Sequence, residues 1–78
     1  MIKKMGQLNK GQKGLIVNID DSDLTQRFIE LGFLTGQKVE VLHVSPFSNS
    51  ALAIRVKDSI IALRRSEANL IQVEELTA

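Results

Sequence analysis

Leu24-Thr25-Gln26-Arg27-Phe28-Ile29-Glu30-Leu31-Gly32-Phe33-Leu34-Thr35-Gly36-Gln37-Lys38-Val39-Glu40-Val41 is the stretch in which the hydrophobic period changes from that of a helix to that of a strand. Its first half carries Leu24, Phe28 and Leu31 at i, i+4 and i+7, with Gln26, Arg27 and Glu30 on the other side. That spacing predicts one amphipathic helix of about ten residues. Asp20-Asp21-Ser22-Asp23 supplies N-cap candidates ahead of it. Gly32 stands just past the last apolar position, where the chain needs a positive φ to leave the helix, and Phe33 can fold back on the final turn. Beyond Gly36 the period is two: Val39 and Val41 face one way, Lys38, Glu40 and Leu42 the other.

Working outward, the same period appears on both sides. Upstream, Gly14 to Ile19 alternates and is predicted as a strand with Leu15, Val17 and Ile19 on a common face. Downstream, the strand through Val44 gives way to the loop Ser45-Pro46-Phe47-Ser48-Asn49-Ser50, where Pro46 lacks the donor a central strand requires. Ala51 to Val56 alternates again, with Leu52, Ile54 and Val56 opposite Ala53 and Arg55, and a turn at Asp58-Ser59 leads to a return strand from Ile60 to Leu63. Arg64 to Ala68 has the composition of a helical turn, and Leu70 to Val73 forms a last strand before an acidic tail. The expectation is a mainly β fold of about five strands, with one short α-helix between the first two and a helical turn before the last. So few strands cannot build a two-sheet sandwich, whereas a small, strongly bent SH3-like β-barrel removes exposed edges; residues 1–78 are read as one such domain.

Composition narrows the function. In 78 residues there are 10 Lys and Arg against 9 Asp and Glu, a net charge of +1, one His and no Cys. A two-domain enzyme with an interdomain cleft has no room. Absent thiols exclude disulfides, zinc knuckles and a thiolate nucleophile, and point to a reducing, cytoplasmic setting. The longest wholly apolar run, Ile60-Ile61-Ala62-Leu63, is far below the ~20 residues of a transmembrane helix, so no membrane insertion is expected. Near-neutral charge disfavours a nucleic-acid groove unless the cations are segregated.

Individual motifs add little chemistry. Gly6 and Gly11 have phosphate-loop spacing, but Gln12-Lys13 and a following strand do not complete one. Asp20, Asp21 and Asp23 lack the distal Glu and the central Gly of a calcium loop, and helix capping accounts for them. His43 is the lone imidazole, read in register with Val39 and Val41 as a barrel-rim or half-buried residue and not a metal ligand set. No catalytic constellation is found, so an enzyme is not expected. Lys10-Gly11-Gln12-Lys13-Gly14-Leu15-Ile16-Val17 resembles the KOW motif of ribosome-associated barrels, which leaves RNA binding as an alternative; it predicts Lys10, Lys13, Arg64 and Arg65 on one face.

Taken in order, the features resemble the ferrous iron transport protein A (FeoA) family along nearly the whole chain. They are Leu8, Gly11, Gly14 and Ile16 at the front; Arg27, Phe28, Leu31, Gly32, Phe33, Gly36, Val39 and Val41 through the corner; Pro46, Ile54 and Val56; then Ala62, Leu63, Arg64, Glu67, Ala68, Ile71 and Val73. Thr35 replaces the family's common Pro and Asp58 its frequent Gly, both in turns. The resemblance implies a cytoplasmic accessory protein of bacterial ferrous-iron uptake, a non-enzymatic adaptor for the permease FeoB with its cytosolic GTP-binding domain. A second implied relationship, to the C-terminal module of iron-dependent repressors, leaves a metal-sensing module as a further alternative. Family-type transition-metal binding would have only His43 and carboxylates here, so no cofactor is expected beyond weak association with Fe²⁺ or another divalent ion. Large apolar residues in Gly/Ser/Pro segments make Phe33, Leu34, Pro46 and Phe47 the candidate partner-binding set, against the alternative that Phe33 staples the helix end and Phe47 lids the barrel. Gly14, Gly32 and Gly36 are assigned to structural turns.

Overall fold

Short alternating runs separated by turn residues have one way to hide their apolar faces, which is to pair with one another. The structure, a computed structural model, describes residues 1–47 and 51–76. In it the chain runs β1 (Ile2–Lys4), a 3₁₀ turn (Met5–Gln7), β2 (Lys13–Ile19), α1 (Thr25–Leu31), β3 (Lys38–Val44), β4 (Ala51–Val56), β5 (Ser59–Arg64), α2 (Arg65–Ala68) and β6 (Ile71–Leu76). All pairings are antiparallel, in the order β1-β6-β2-β3-β4-β5. Ile16, Val39, Val41, Leu52, Ile54, Val56, Leu63, Ile71 and Val73 form one buried cluster with Met5, Leu8, Phe28, Phe33 and Ala68. A single sheet covered by so little helix buries that many side chains on one face only by curling around them. The 3₁₀ turn after β1 and the helix α2 after β5 meet, since the Arg65 guanidinium donates to the Gly6 carbonyl. The mainly β, SH3-like fold expected from the sequence is the fold observed.

Differences from the sequence reading have specific causes. Strand β1 was not expected; three residues carry no period, and only their pairing with Gln72, Val73 and Glu74 makes them a strand. The supposed acidic tail is part of β6, where Glu75 accepts from the Lys3 ammonium at 2.9 Å and from the Gln12 amide at 2.8 Å, tying β1 and the entry to β2 onto β6. Helix α1 has 7 residues, shorter than its apolar spacing suggested. Its start is organised by hydroxyls and not by the aspartates: Ser22 Oγ accepts from the Leu24 amide, and Thr25 Oγ1 accepts from the Ser22 amide while donating to the Asp20 carbonyl. The β4–β5 turn is Lys57-Asp58, one residue earlier than expected, with Val56 paired to Ser59 and Lys57 at φ 54°. Ala62 is exposed, not in the core, because Ile61 and Leu63 occupy the inward positions of β5.

Two β-bulges redirect side chains. The β2–β6 register shifts between Ile16 and Asn18, so Val17 is an extra residue and Ile16 and Ile19 both turn inward. Leu15, Val17 and Ile19 therefore do not share one face: Ile19 packs against the core, and Leu15 and Val17 do not. In β3 the register shifts between Val41 and His43, which sends Val44 inward and leaves His43 exposed on the outer face, out of register with Val39 and Val41.

Candidate functional site

The helix-to-strand corner shows why Phe33 leaves the partner-binding set. Gly32 takes φ 102°; its amide bonds the Ile29 carbonyl and the Phe33 amide bonds the Phe28 carbonyl, a Schellman ending that aims the following side chain back at the helix. Phe33 is thereby fully buried, edge-on to Phe28 with ring centroids 6.1 Å apart. It is a core residue, and the stapling alternative is the one the geometry follows. Leu34, the next residue, points outward at 39% exposure, as does Ile29 on α1 at 41%. Gly36, at φ 91°, bonds through its amide to the Ile16 carbonyl and returns the chain to β3.

Phe47 is the most exposed aromatic among the described residues, at 76%, in the loop after β3, and Pro46 beside it is also exposed. The Ser45 amide bonds the Ala51 carbonyl and the Phe47 amide leans on Ser45 Oγ, so the base of this loop is fixed while the ring faces solvent. Ser48 to Ser50 lie outside the described residues. Leu34 precedes the seven residues of β3 and Phe47 follows them, a strand length of roughly 20 Å, so the structure does not bring these two into one patch. Instead they mark opposite ends of the sheet, Leu34 with the Lys57 turn and Phe47 with the start of β4. Sequence reading also missed Ile60, 62% exposed on the outer face of the edge strand β5; its outward direction follows once Leu63 is known to be buried.

Of the three turn glycines, Gly32 and Gly36 hold positive φ, but Gly14 does not stand at a turn. It is buried inside β2, where a Cβ would meet Val73 Cβ at 2.8 Å. Close approach of two strands, not backbone freedom, is what requires glycine there.

The cations named for RNA binding do not gather. Lys13 opens β2, whereas Arg64 ends β5 three strands away, and Arg65 is occupied by Gly6. Among the described residues no group of three or more His, Cys, Asp or Glu side chains comes together, and His43 stands by itself. No helix among them is long and apolar enough to cross a membrane.

Comparison with known proteins gives the geometry its context. A family model described as the FeoA domain matches residues 3–75. A Campylobacter jejuni protein assigned as Fe(2+) transport protein A is 30% identical over 70 residues, covering 88% of this chain and 93% of that one. An Fe(2+) transport protein A/Fe(2+) transporter FeoB fusion protein of Porphyromonas gingivalis is 26% identical over 76 residues, which are 96% of this chain and 9% of the fusion. Among solved structures, Stenotrophomonas maltophilia FeoA complexed with zinc, an SH3 domain protein, superposes with a TM-score of 0.81 at 26% identity, covering 95% of this chain and 89% of that one. A manganese-dependent transcriptional repressor reaches 0.88 at 19% identity over 96% of this chain and 41% of the repressor, a likeness of fold alone.

Proposed function

The chain belongs to the FeoA domain family of ferrous iron transport, and from that premise we propose that it is a non-enzymatic, cytoplasmic adaptor for a FeoB-type permease with a GTP-binding domain. The observation that carries this reading is the Porphyromonas gingivalis fusion, in which the stretch matching this chain is joined to an Fe(2+) transporter FeoB in one polypeptide. A covalent link holds two domains at high effective concentration, and separate chains need a surface to replace it. Phe47 supports that surface, because a solvated aromatic ring buries much apolar area on docking. Pro46 is its neighbour on the loop, and Leu34 is a contact at the far end of β3. In this role the protein needs no resident metal, and any association with a divalent ion at His43 is weak and incidental.

The test is capture of a FeoB-type permease, in detergent, by immobilised wild-type protein and by Phe47→Asp. Both positions 34 and 47 are surface sites, so melting should stay unchanged while Phe47→Asp loses capture; Leu34→Asp measures whether the interface extends along the sheet. Equal capture by Phe47→Asp and wild type would overturn the assignment of the loop, and no capture by wild type would overturn the adaptor reading.

A further inference from the structure

The outer face of β2, β3 and β4 concentrates positive charge that the rest of the chain does not share. Lys13 on β2 pairs with Glu40 on β3, which pairs with Arg55 on β4; Lys38 opens β3 beside the Val39–Val56 pair, and Lys57 stands in the turn just after β4. These five residues line one shallow groove with Gln37 and Val39. Four cations about one carboxylate sum to +3, and since the whole chain carries +1, everything outside the groove sums to −2. Among the described residues the ion pairs are Met1 with Glu74 and Lys3 with Glu75, and none involves a groove residue. Glu40 has a cation directly across from it on each neighbouring strand, an arrangement that favours the sheet, whereas Lys38 and Lys57 have no ion-pair partner among the described residues and are surplus to it.

We propose that this groove docks an acidic, extended segment of a protein partner. Neighbouring strands are ~4.8 Å apart and alternate residues along a strand ~6.8 Å, which puts the cations on either side of Glu40 at ~7–10 Å from one another, the spacing of carboxylates two or three residues apart in an extended peptide. Glu40, central and half-buried, decides against a continuous polyanion: it repels a phosphate that passes over it but is matched by a neutral position between two acids. No aromatic lines the groove to stack a base, and no exposed large apolar residue lines it to enter a lipid layer. The surface lies on different residues from Phe47, and its test needs no permease, so the two readings stand or fall separately.

Fluorescence anisotropy with a fluorescein-labelled peptide of four Glu-Ala repeats measures it, at low salt and again at physiological salt. Wild-type protein should bind, more weakly as salt rises, and Lys38→Gln/Arg55→Gln should weaken binding at least tenfold. The control pair Arg27→Gln/Arg64→Gln removes the same total charge elsewhere and should retain binding. Lys57→Gln is the second groove variant if the first pair melts early by circular dichroism. Equal loss in groove and control pairs, or no binding by wild type, would overturn the proposal. Tighter binding of a labelled single-stranded RNA octamer, or cosedimentation with phosphatidylglycerol vesicles that the groove variant abolishes, would also overturn it and reassign the face.

Discussion

Gly14→Ala places a methyl group against Val73 on the neighbouring strand. The added Cβ would stand 2.8 Å from Val73 Cβ, 2.9 Å from Cγ2 and 3.4 Å from Cγ1, and Val73 Cβ is fixed to the β6 backbone. Relief therefore requires β2 and β6 to move apart. Overpacking of this kind costs about 1–3 kcal/mol, and the smaller unfolded-state entropy of Ala returns about 0.5–1, leaving a net loss of about 1–2 kcal/mol. At ~4–8 °C per kcal/mol for a domain of this size, the melting temperature should fall by about 5–15 °C. Val73→Ala alone loses two buried methyl groups and leaves a cavity, for about 2–3 kcal/mol. Combining the two removes the Cγ1 and Cγ2 contacts but keeps the Cβ contact, so rescue is partial, with a favourable coupling of about 1 kcal/mol. Urea denaturation followed by circular dichroism measures all four corners of the cycle. A Gly14→Ala protein as stable as wild type, or strictly additive effects, would refute the argument that close approach dictates this glycine.

Gly32→Ala forces a Cβ into φ 102° and should cost about 1 kcal/mol, read as a lower urea midpoint with unchanged slope. Glu75→Ala strands the Gln12 amide and the Lys3 ammonium and should lower stability by about 1 kcal/mol in the same assay; an effect below a few tenths would show that solvent replaces Glu75 at no cost.

How much of this was legible beforehand varies element by element. Leu24 at the N-cap of α1, Phe28 and Leu31 on it, and Leu52, Ile54 and Val56 on β4 are inward as their spacing predicts, because a residue's direction within an unbroken element is a local property. Val17 and Leu42 broke that rule. A bulge is an agreement between two strands about which residue goes unpaired, and period two within one strand carries no trace of it. For that reason the spacing put His43 in register with Val39 and Val41 and grouped Leu15 and Val17 with Ile19. Phe33 and Phe47 looked alike in sequence, both aromatic and both beside turn residues; the Schellman hydrogen bonds bury one, while a short polar loop carries the other into water.

By itself the sequence determined the fold class and family of this protein. Helical spacing, alternation and glycine position act over a few residues, and their order along the chain is enough to specify a small β fold. Tertiary structure alone decided the surfaces. Lys13, Lys38, Arg55 and Lys57 are distant in the chain and become one groove only through the registers of β2, β3 and β4. Leu34 and Phe47, close in the chain by comparison, are separated because the seven residues of β3 lie between them. A docking function resides in such surfaces, and which residues share one is fixed by strand pairing across the sheet.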